Sequence, residues 1–242
     1  ETRLTARTRA VIPVHFAGRP CRIEEIVALC DDRGAAVIED CAHAIETRVG
    51  DRHMGTFGAF GAFSFYVTKN VATGEGGMVT TSSTELASRI KRLALHGLSA
   101  DAWSRFSDEG FKHYEVVEPG FKYNMMDLQA ALGIHQLARV EWNLEHRERV
   151  WGAYDEAFAE LPVFRPSAAE AGTRHARHLY TLMLDLDAVS LTRDDVLTSL
   201  HRQNIGTGVH YRALHLHPYY RDAFGYRPGD FPNAEWVSER TP

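Results

Sequence analysis

Lysine is scarce in this sequence. Lys69, Lys91, Lys112 and Lys122 are the four present, and Lys69 alone stands between a strand-like run, Phe63-Ser-Phe-Tyr-Val67, and a glycine-rich turn, Gly74-Glu-Gly-Gly77. Partly apolar surroundings destabilise an ammonium, so an amine held there becomes available to attack a carbonyl and form a Schiff base. The plain alternative is a lysine that snorkels from a strand end to solvent. Lys91 falls in a helical pattern with Arg89 and Arg92, where a solvated charge is the ordinary reading. Asp40 and His43, in Asp40-Cys-Ala-His43, close another apolar run. A carboxylate and an imidazole so placed can touch one ligand, although a helix cap and a satisfied structural histidine explain them equally well.

The elements that must carry these groups are strands. Ala35-Ala-Val-Ile-Glu-Asp40 is an apolar run without alternation, which predicts a strand covered on both faces. Before it, Arg9-Ala-Val-Ile-Pro-Val-His15 reads as a buried strand that Pro13 ends or makes irregular, and Ile23 to Cys30 repeats apolar residues at helical spacing, stopping at Gly34. Strand, helix and strand within about 30 residues make a βαβ unit with a right-handed crossover, so the fold class is α/β. Ligands collect beyond the carboxyl ends of parallel strands, which is where Asp40 and His43 fall. Ala62-Phe-Ser-Phe-Tyr66 and Met78-Val-Thr-Thr81 are further strands on either side of Lys69, and the order of glycines and lysine matches neither a Walker loop nor a dinucleotide fingerprint.

Downstream, Glu85 to His96 is predicted as a helix with Leu86, Ile90, Leu93 and Ala94 as its buried stripe. Gly97 to about Gly120 reads as a long irregular loop. Leu128, Ala131, Leu132, Ile134, Leu137 and Val140 then mark one long helix running beyond Arg149. His178 to Asp185 alternates as a half-buried strand, Thr192 caps a helix from Arg193 to Gln203, and Ile205 to Tyr211 returns as a strand or extended segment. The expected organisation is a first domain over residues 1–125, a connecting helix over 126–160 and a small α+β domain over 161–242.

Composition narrows the partners. With 242 residues, 44% of them hydrophobic, the chain can bury a sizeable core, and a net charge of -5 without any basic run gives no support for nucleic acid or an anionic membrane surface. No apolar stretch approaches membrane-spanning length, which leaves a small molecule as the expected partner. Cys21, Cys30 and Cys41 lack the spacing of a zinc site and the density of a disulfide scaffold, so reduced thiols and a cytoplasmic location are expected. His210, His215 and His217 have no carboxylate or cysteine completing a spaced ligand set, and no metal is expected.

Asp40, His43, Ser64 and Lys69 each lie at a strand end or turn on what should be one edge of one sheet. Pyridoxal 5'-phosphate (PLP) needs such a set: a lysine for its aldehyde, a carboxylate to keep the pyridine nitrogen protonated, a polar or planar group beside the ring, and donors for its phosphate. Lys69, once displaced by an amine donor, is then placed to carry the substrate's proton as general acid and base.

Several stretches carry a resemblance. Val11-Ile-Pro-Val-His-Phe-Ala-Gly18, Val37-Ile-Glu-Asp-Cys-Ala-His-Ala44, Phe63-Ser-Phe-Tyr-Val-Thr-Lys-Asn70, Gly74-Glu-Gly-Gly-Met-Val79, Gly120-Phe-Lys-Tyr-Asn124 and Gly206-Thr-Gly-Val-His-Tyr211 resemble the nucleotide-sugar aminotransferases of the DegT/DnrJ/StrS group over nearly the whole chain. The Leu95 to Trp103 stretch and Lys122-Tyr-Asn124 are most similar to the branch that aminates the 4-keto carbon of UDP-sugars, including the enzyme making 4-amino-4-deoxy-L-arabinose. The resemblance implies part of an aspartate-aminotransferase-like large domain with a mainly parallel sheet, plus a small C-terminal domain. It implies PLP as cofactor, Lys69 as the Schiff-base lysine, Asp40 on the pyridine nitrogen, His43 beside the cofactor hydroxyl and Ser64 on the phosphate. It also implies Asn124 on the cofactor phosphate of a neighbouring subunit, hence a homodimer with shared sites, and His210 and Tyr211 as substrate contacts. Glutamate is the implied amino donor and a nucleotide-linked ketosugar the acceptor; the related dehydratases carry histidine at the position of Lys69. Family members extend by about a hundred residues before this chain begins and by about thirty beyond its end, so a sequence truncated at both ends is expected, and with it two other readings: a PLP sugar transaminase acting at another position, or a non-catalytic homologue.

Overall fold

The computed structural model describes residues 2–99 and 114–242. Most of the loop expected between Gly97 and Gly120, and the Leu95–Trp103 motif from residue 100 onward, therefore lie outside the described residues. The chain forms two compact units, one bounded by Glu1–His146 and Ala169–His178, the other by Arg147–Ala168 and Leu179–Pro242.

The first unit starts with the strand, helix and strand that the sequence suggests, but the first strand is short and not buried, with Ile12 and Val14 exposed. β1 (Ala10–Val11) leads through a 3-10 turn at Phe16–Gly18 into α1 (Ile23–Asp31), and the chain returns as β2 (Ala36–Asp40), parallel to β1. Proline has no N–H to give a ladder, so regular pairing stops before Pro13 and resumes as a single bridge between Val14 and Asp40. Glu24 and Glu25 in the first turn of α1 suit its positive end, and Gly34, with φ 65°, takes the left-handed conformation that turns the chain into β2. Ile23 and Cys30 of α1 are buried with Ala35, Val37, Cys41, Ala44 and Met54 in one cluster.

β3 (Arg48–Val49) and β4 (Arg52–His53) form a small antiparallel pair, followed by β5 (Phe60–Ser64) and β6 (Gly77–Thr80). The main sheet has the order β1-β2-β5-β6: β5 runs parallel to β2, with Asp40 opposite Ala62, and β6 runs antiparallel to β5. β2 alternates rather than being covered on both sides. Val37 and Glu39 are buried, whereas Ile38 and Asp40 on the other face are only half-buried.

The glycines between β4 and β5 are there for close approach. A Cβ on Gly61 would sit 2.3 Å from Gly55 Cα and 2.7 Å from Gly55 O, both backbone atoms that cannot swing away. Gly61→Ala is expected to destabilise the chain by about 1–3 kcal/mol, the usual range for overpacking, read as a lower urea midpoint with an unchanged slope.

α2 (Thr84–Ala94) is capped by Ser83, whose Oγ accepts from Leu86 N at 3.2 Å. Its predicted stripe of Leu86, Ile90, Leu93 and Ala94 is half-buried. The single long helix expected from the apolar pattern is instead two, α3 (Asp127–Leu137) and α4 (Val140–Ala157), broken at Ala138 and Arg139; no proline or glycine at the break accounts for it.

In the second unit β7 (Val163–Phe164) precedes the excursion of the chain back into the first unit, where β8 (Thr173–Arg174) pairs antiparallel with β3. The strand expected over His178–Asp185 reduces to β9 (Met183–Leu184), paired with β7. Tyr180, on that alternating run, donates its hydroxyl to Asp155 Oδ1 at 2.7 Å and packs edge-on to Trp151. α5 (Arg193–Arg202) begins with a reciprocal Thr192–Asp195 capping box, as the cap signal predicted. Ile205 to Tyr211 is irregular, with a bend at His210, and pairs with no strand among the described residues, and α6 (Pro218–Phe224) and α7 (Pro232–Arg240) each open on proline.

Candidate active site

The parallel register of β2 and β5 decides what shares an edge. Asp40 lies opposite Ala62, so Asp40 and Ser64, two residues on, emerge on one face at the carboxyl ends of adjacent strands. The backbone of Asp40 is tied twice to the preceding strand segment, N–H to Pro13 O at 2.9 Å and O to His15 N at 3.1 Å, and its Oδ1 accepts from Ala42 N at 3.0 Å. This bond turns the chain at once towards His43 and engages only one of the two carboxylate oxygens.

Beyond β5 the chain makes a closed loop around Lys69. Lys69 N donates to Tyr66 O at 2.9 Å, Thr73 N to Phe65 O at 2.9 Å, and Phe65 N to Gly76 O at 2.8 Å, while Ser64 Oγ accepts from Tyr66 N at 3.3 Å. Lys69 is half-buried. Gly76 closes the loop with φ 149°, and the Met125 methyl lies 2.4 Å from where its Cβ would be. That contact brings the Gly120–Met126 segment against the lysine loop. Asn124, half-buried in this segment, accepts at Oδ1 from Lys122 Nζ. Asp40 and Ser64 thus stand at the carboxyl ends of adjacent strands, with His43 and Lys69 in the segments that follow β2 and β5. His210 and Tyr211 belong to the second unit, where His210 Nδ1 donates to Gly208 O at 3.0 Å and Tyr211 is exposed.

His43 has a defined orientation. Ala17 N–H donates to its Nδ1 at 3.2 Å, and its ring packs against His178 with centroids 4.3 Å apart. A ring nitrogen accepting a backbone N–H carries no proton, so the geometry assigns the proton of the neutral imidazole to Nε2. The residue types suit a pyridine ring with an ionised hydroxyl: an imidazole in its Nε2–H form, a carboxylate able to accept from a protonated ring nitrogen, and a serine hydroxyl able to donate. Ala62, the registered neighbour of Asp40, contributes only a methyl group to that face.

Glu39 was not singled out by the sequence. Its side chain is wholly buried and its two oxygens gather four donors: His15 Nε2 at 3.1 Å, Gly55 N at 2.7 Å, Phe57 N at 2.7 Å and Gly58 N at 2.8 Å. Burial by itself would raise the carboxyl's pKa, but the His15 bond and the three backbone N–H groups outweigh it and hold Glu39 below the usual carboxylate range. An acid inside an apolar strand run is the one signal that could have found it. Glu39, His15 and Cys41 have ligand atoms within 4.8 Å of one another, yet the chemistry is not that of a metal cage. Both Glu39 oxygens are spent on donors, His15 Nδ1 accepts from Cys21 N at 3.2 Å, and burial first, then the Glu39 charge, raise the Cys41 thiol well above its ordinary range. Asn70, next to Lys69, was likewise missed; it donates to the buried Glu46 at 2.8 Å.

Residues 1–241 match the family model described as DegT/DnrJ/EryC1/StrS aminotransferase family. The chain is similar to the spore coat polysaccharide biosynthesis protein SpsC of Bacillus subtilis, 48% identical over 243 residues, covering 100% of this chain and 62% of SpsC. Among solved structures, it is similar to Helicobacter pylori PseC, an aminotransferase involved in the biosynthesis of pseudoaminic acid (TM-score 0.86, 26% identity, 99% of this chain and 62% of that one). It is also similar to the PLP-form of Spr1654 from Streptococcus pneumoniae (TM-score 0.85, 25% identity, 99% and 64%). The chain thus spans about three-fifths of the length of the proteins it matches.

Proposed function

The chain belongs to the DegT/DnrJ/EryC1/StrS aminotransferase family, and from that premise we propose that it carries the lysine-bearing part of a PLP-dependent aminotransferase acting on a nucleotide-linked ketosugar. The observation that carries this is the shared edge: parallel pairing of β2 with β5 sets Asp40, Ser64 and the Lys69 loop side by side. When bound, PLP supplies an electron sink for the bond broken at the substrate carbon. The chain's own residues do the rest. Lys69 holds the cofactor and, once released, moves a proton to and from the reacting carbon; Asp40 accepts from the pyridine nitrogen; His43 stands beside the ring oxygen; Ser64 donates to the phosphate.

Asn124 is assigned to the cofactor phosphate of a second copy, in a homodimer with shared sites, and His210 and Tyr211 to the substrate. Residues 1–125 form the cofactor-binding part, 126–160 the connection and 161–242 the small domain of this reading. The roles of SpsC and PseC, in spore coat polysaccharide and pseudoaminic acid biosynthesis, support a sugar as acceptor. Glutamate as donor and the 4-keto carbon of a UDP-sugar as acceptor are the finer assignment. The test is to incubate the protein with PLP, glutamate and a panel of nucleotide ketosugars differing in base and keto position, and to read amino-sugar formation by mass spectrometry. Amination confined to 4-keto UDP-sugars is the expected result; amination at another position overturns the finer assignment, and none across the panel overturns the acceptor class.

A further inference from the structure

The residue after Lys69 is anchored from a part of the chain more than a hundred positions away. Asn70 Nδ2 donates to Glu46 Oε2 at 2.8 Å and to Ala176 O at 3.4 Å, and its Oδ1 lies 2.7 Å from His178 Nδ1. Because Nδ2 faces two acceptors, Oδ1 is the amide's acceptor and His178 Nδ1 carries the donated proton. Glu46 and Ala176 are 1% and 0% exposed, so the far ends of these bonds sit in fixed surroundings.

His178 also reaches His43. Its backbone N–H donates to Ala17 O at 3.0 Å; Ala17 N–H in turn fixes His43 Nδ1, and the two imidazole rings pack directly. The approach needs a glycine at position 18, where a Cβ would lie 2.8 Å from Ala176 Cβ and φ is 89°. The path Asn70, His178, Ala17, His43 closes on itself through the ring contact. One side chain thereby touches both the side-chain amide of the residue after Lys69 and the ring of the imidazole assigned to the cofactor oxygen.

We propose that His178 is a positioning residue that couples the lysine loop to the ring of His43 and so fixes the spacing between amine and imidazole. This rests on the reading of Lys69 and His43 as cofactor-binding groups. Two substitutions separate its two attachments. His178→Phe keeps a ring against His43 but cannot donate to Asn70, and His178→Asn keeps a donor near the Nδ1 position but has no ring.

Amide hydrogen exchange over residues 66–72 in the PLP-free protein reads the loop, and the PLP dissociation constant, from visible absorbance, reads the site. His178→Phe is expected to speed exchange in 66–72 by about tenfold and to weaken PLP by about tenfold, the scale of one buried hydrogen bond. His178→Asn should bring loop exchange back to within about twofold of the parent. Asn70→Ser removes the same bond from the other side, together with those to Glu46 and Ala176, and should speed loop exchange at least as much as His178→Phe even if the phenylalanine variant is poorly folded. A purely structural role would speed exchange throughout the first unit and would not be rescued by asparagine. Unchanged exchange in 66–72 for both His178→Phe and Asn70→Ser, or asparagine behaving like phenylalanine, overturns the proposal. If the parent protein takes up no PLP, the cofactor reading falls instead, while the exchange comparison still decides the coupling.

Discussion

Replacing Lys69 with alanine is expected to lower amino-group transfer by about a thousandfold or more and to remove the visible absorbance acquired with PLP. General acid-base catalysis alone accounts for about 10²–10⁴ in rate, and the covalent hold on the cofactor is lost with the same atom. The structure gives no second amine in the loop to substitute: Lys69 is the one lysine between Phe60 and Gly77, and its backbone is held by Tyr66 O on one side and by the anchored Asn70 on the other. Lys69→Arg sharpens the test, because a guanidinium keeps the charge and most of the length but stays protonated and cannot act as an amine nucleophile. Arginine should therefore fail as completely as alanine. Transfer within about tenfold of the parent in the alanine variant, or rescue by arginine, would show that position 69 contributes charge or packing and not amine chemistry.

The parts of the site that could be read from sequence are those fixed by local pattern. Asp40, Ser64 and Lys69 are legible because each ends or follows an apolar run, and the chain leaves a parallel strand only at its carboxyl end. Thr192 announces α5 because a capping box is a contract between residues three apart. What failed was pattern without a partner. The alternation from His178 to Asp185 predicts a strand, but alternation measures half-burial; here Tyr180 satisfies its hydroxyl on Asp155 and only Met183 and Leu184 find a ladder. Pro13 is legible as a disturbance because its missing N–H cannot serve a ladder, and β1 ends at Val11. The support of the site was illegible for a different reason. The Asn70–His178 bond spans 108 positions, and nothing local to either residue points to the other.

The same distinction applies to the two acids at the end of β2. Glu39 and Asp40 are neighbours, and the pleat sends them to opposite faces: Asp40 to the half-buried side with Ser64, Glu39 into the α1 core. From sequence the exposed-looking carboxylate carries the chemistry and the other passes for strand. In the structure Glu39 is what ties β2 to the Gly55–Gly58 turn ahead of β5, and through His15 to the segment bonded to Asp40. The edge that holds the candidate chemistry is thus registered from behind by a charge that never meets solvent.

Glu39→Gln should accordingly destabilise the chain by about 2–4 kcal/mol at pH 7, measured by urea unfolding, with little change in side-chain volume. The amide retains one acceptor oxygen and turns an NH2 group towards the donors that the second carboxylate oxygen now satisfies, and a buried unsatisfied group costs about 1–3 kcal/mol. The pH dependence follows from the lowered pKa of Glu39. The folded state binds this proton more weakly than the unfolded chain, whose glutamates titrate near about 4.3, so the stabilisation is complete above that value and is lost as pH falls through the folded pKa. The gap between parent and Glu39→Gln should therefore be constant from about pH 6 to 8 and should narrow below about pH 4, as the parent's carboxyl becomes protonated and resembles the amide. A gap below about 0.5 kcal/mol at pH 7 would mean that the N–H groups of Gly55, Phe57 and Gly58 find water or other acceptors, and that β2 and β5 keep their register without this carboxylate. A large gap that persists undiminished at low pH would assign the loss to packing and leave the charge without a role.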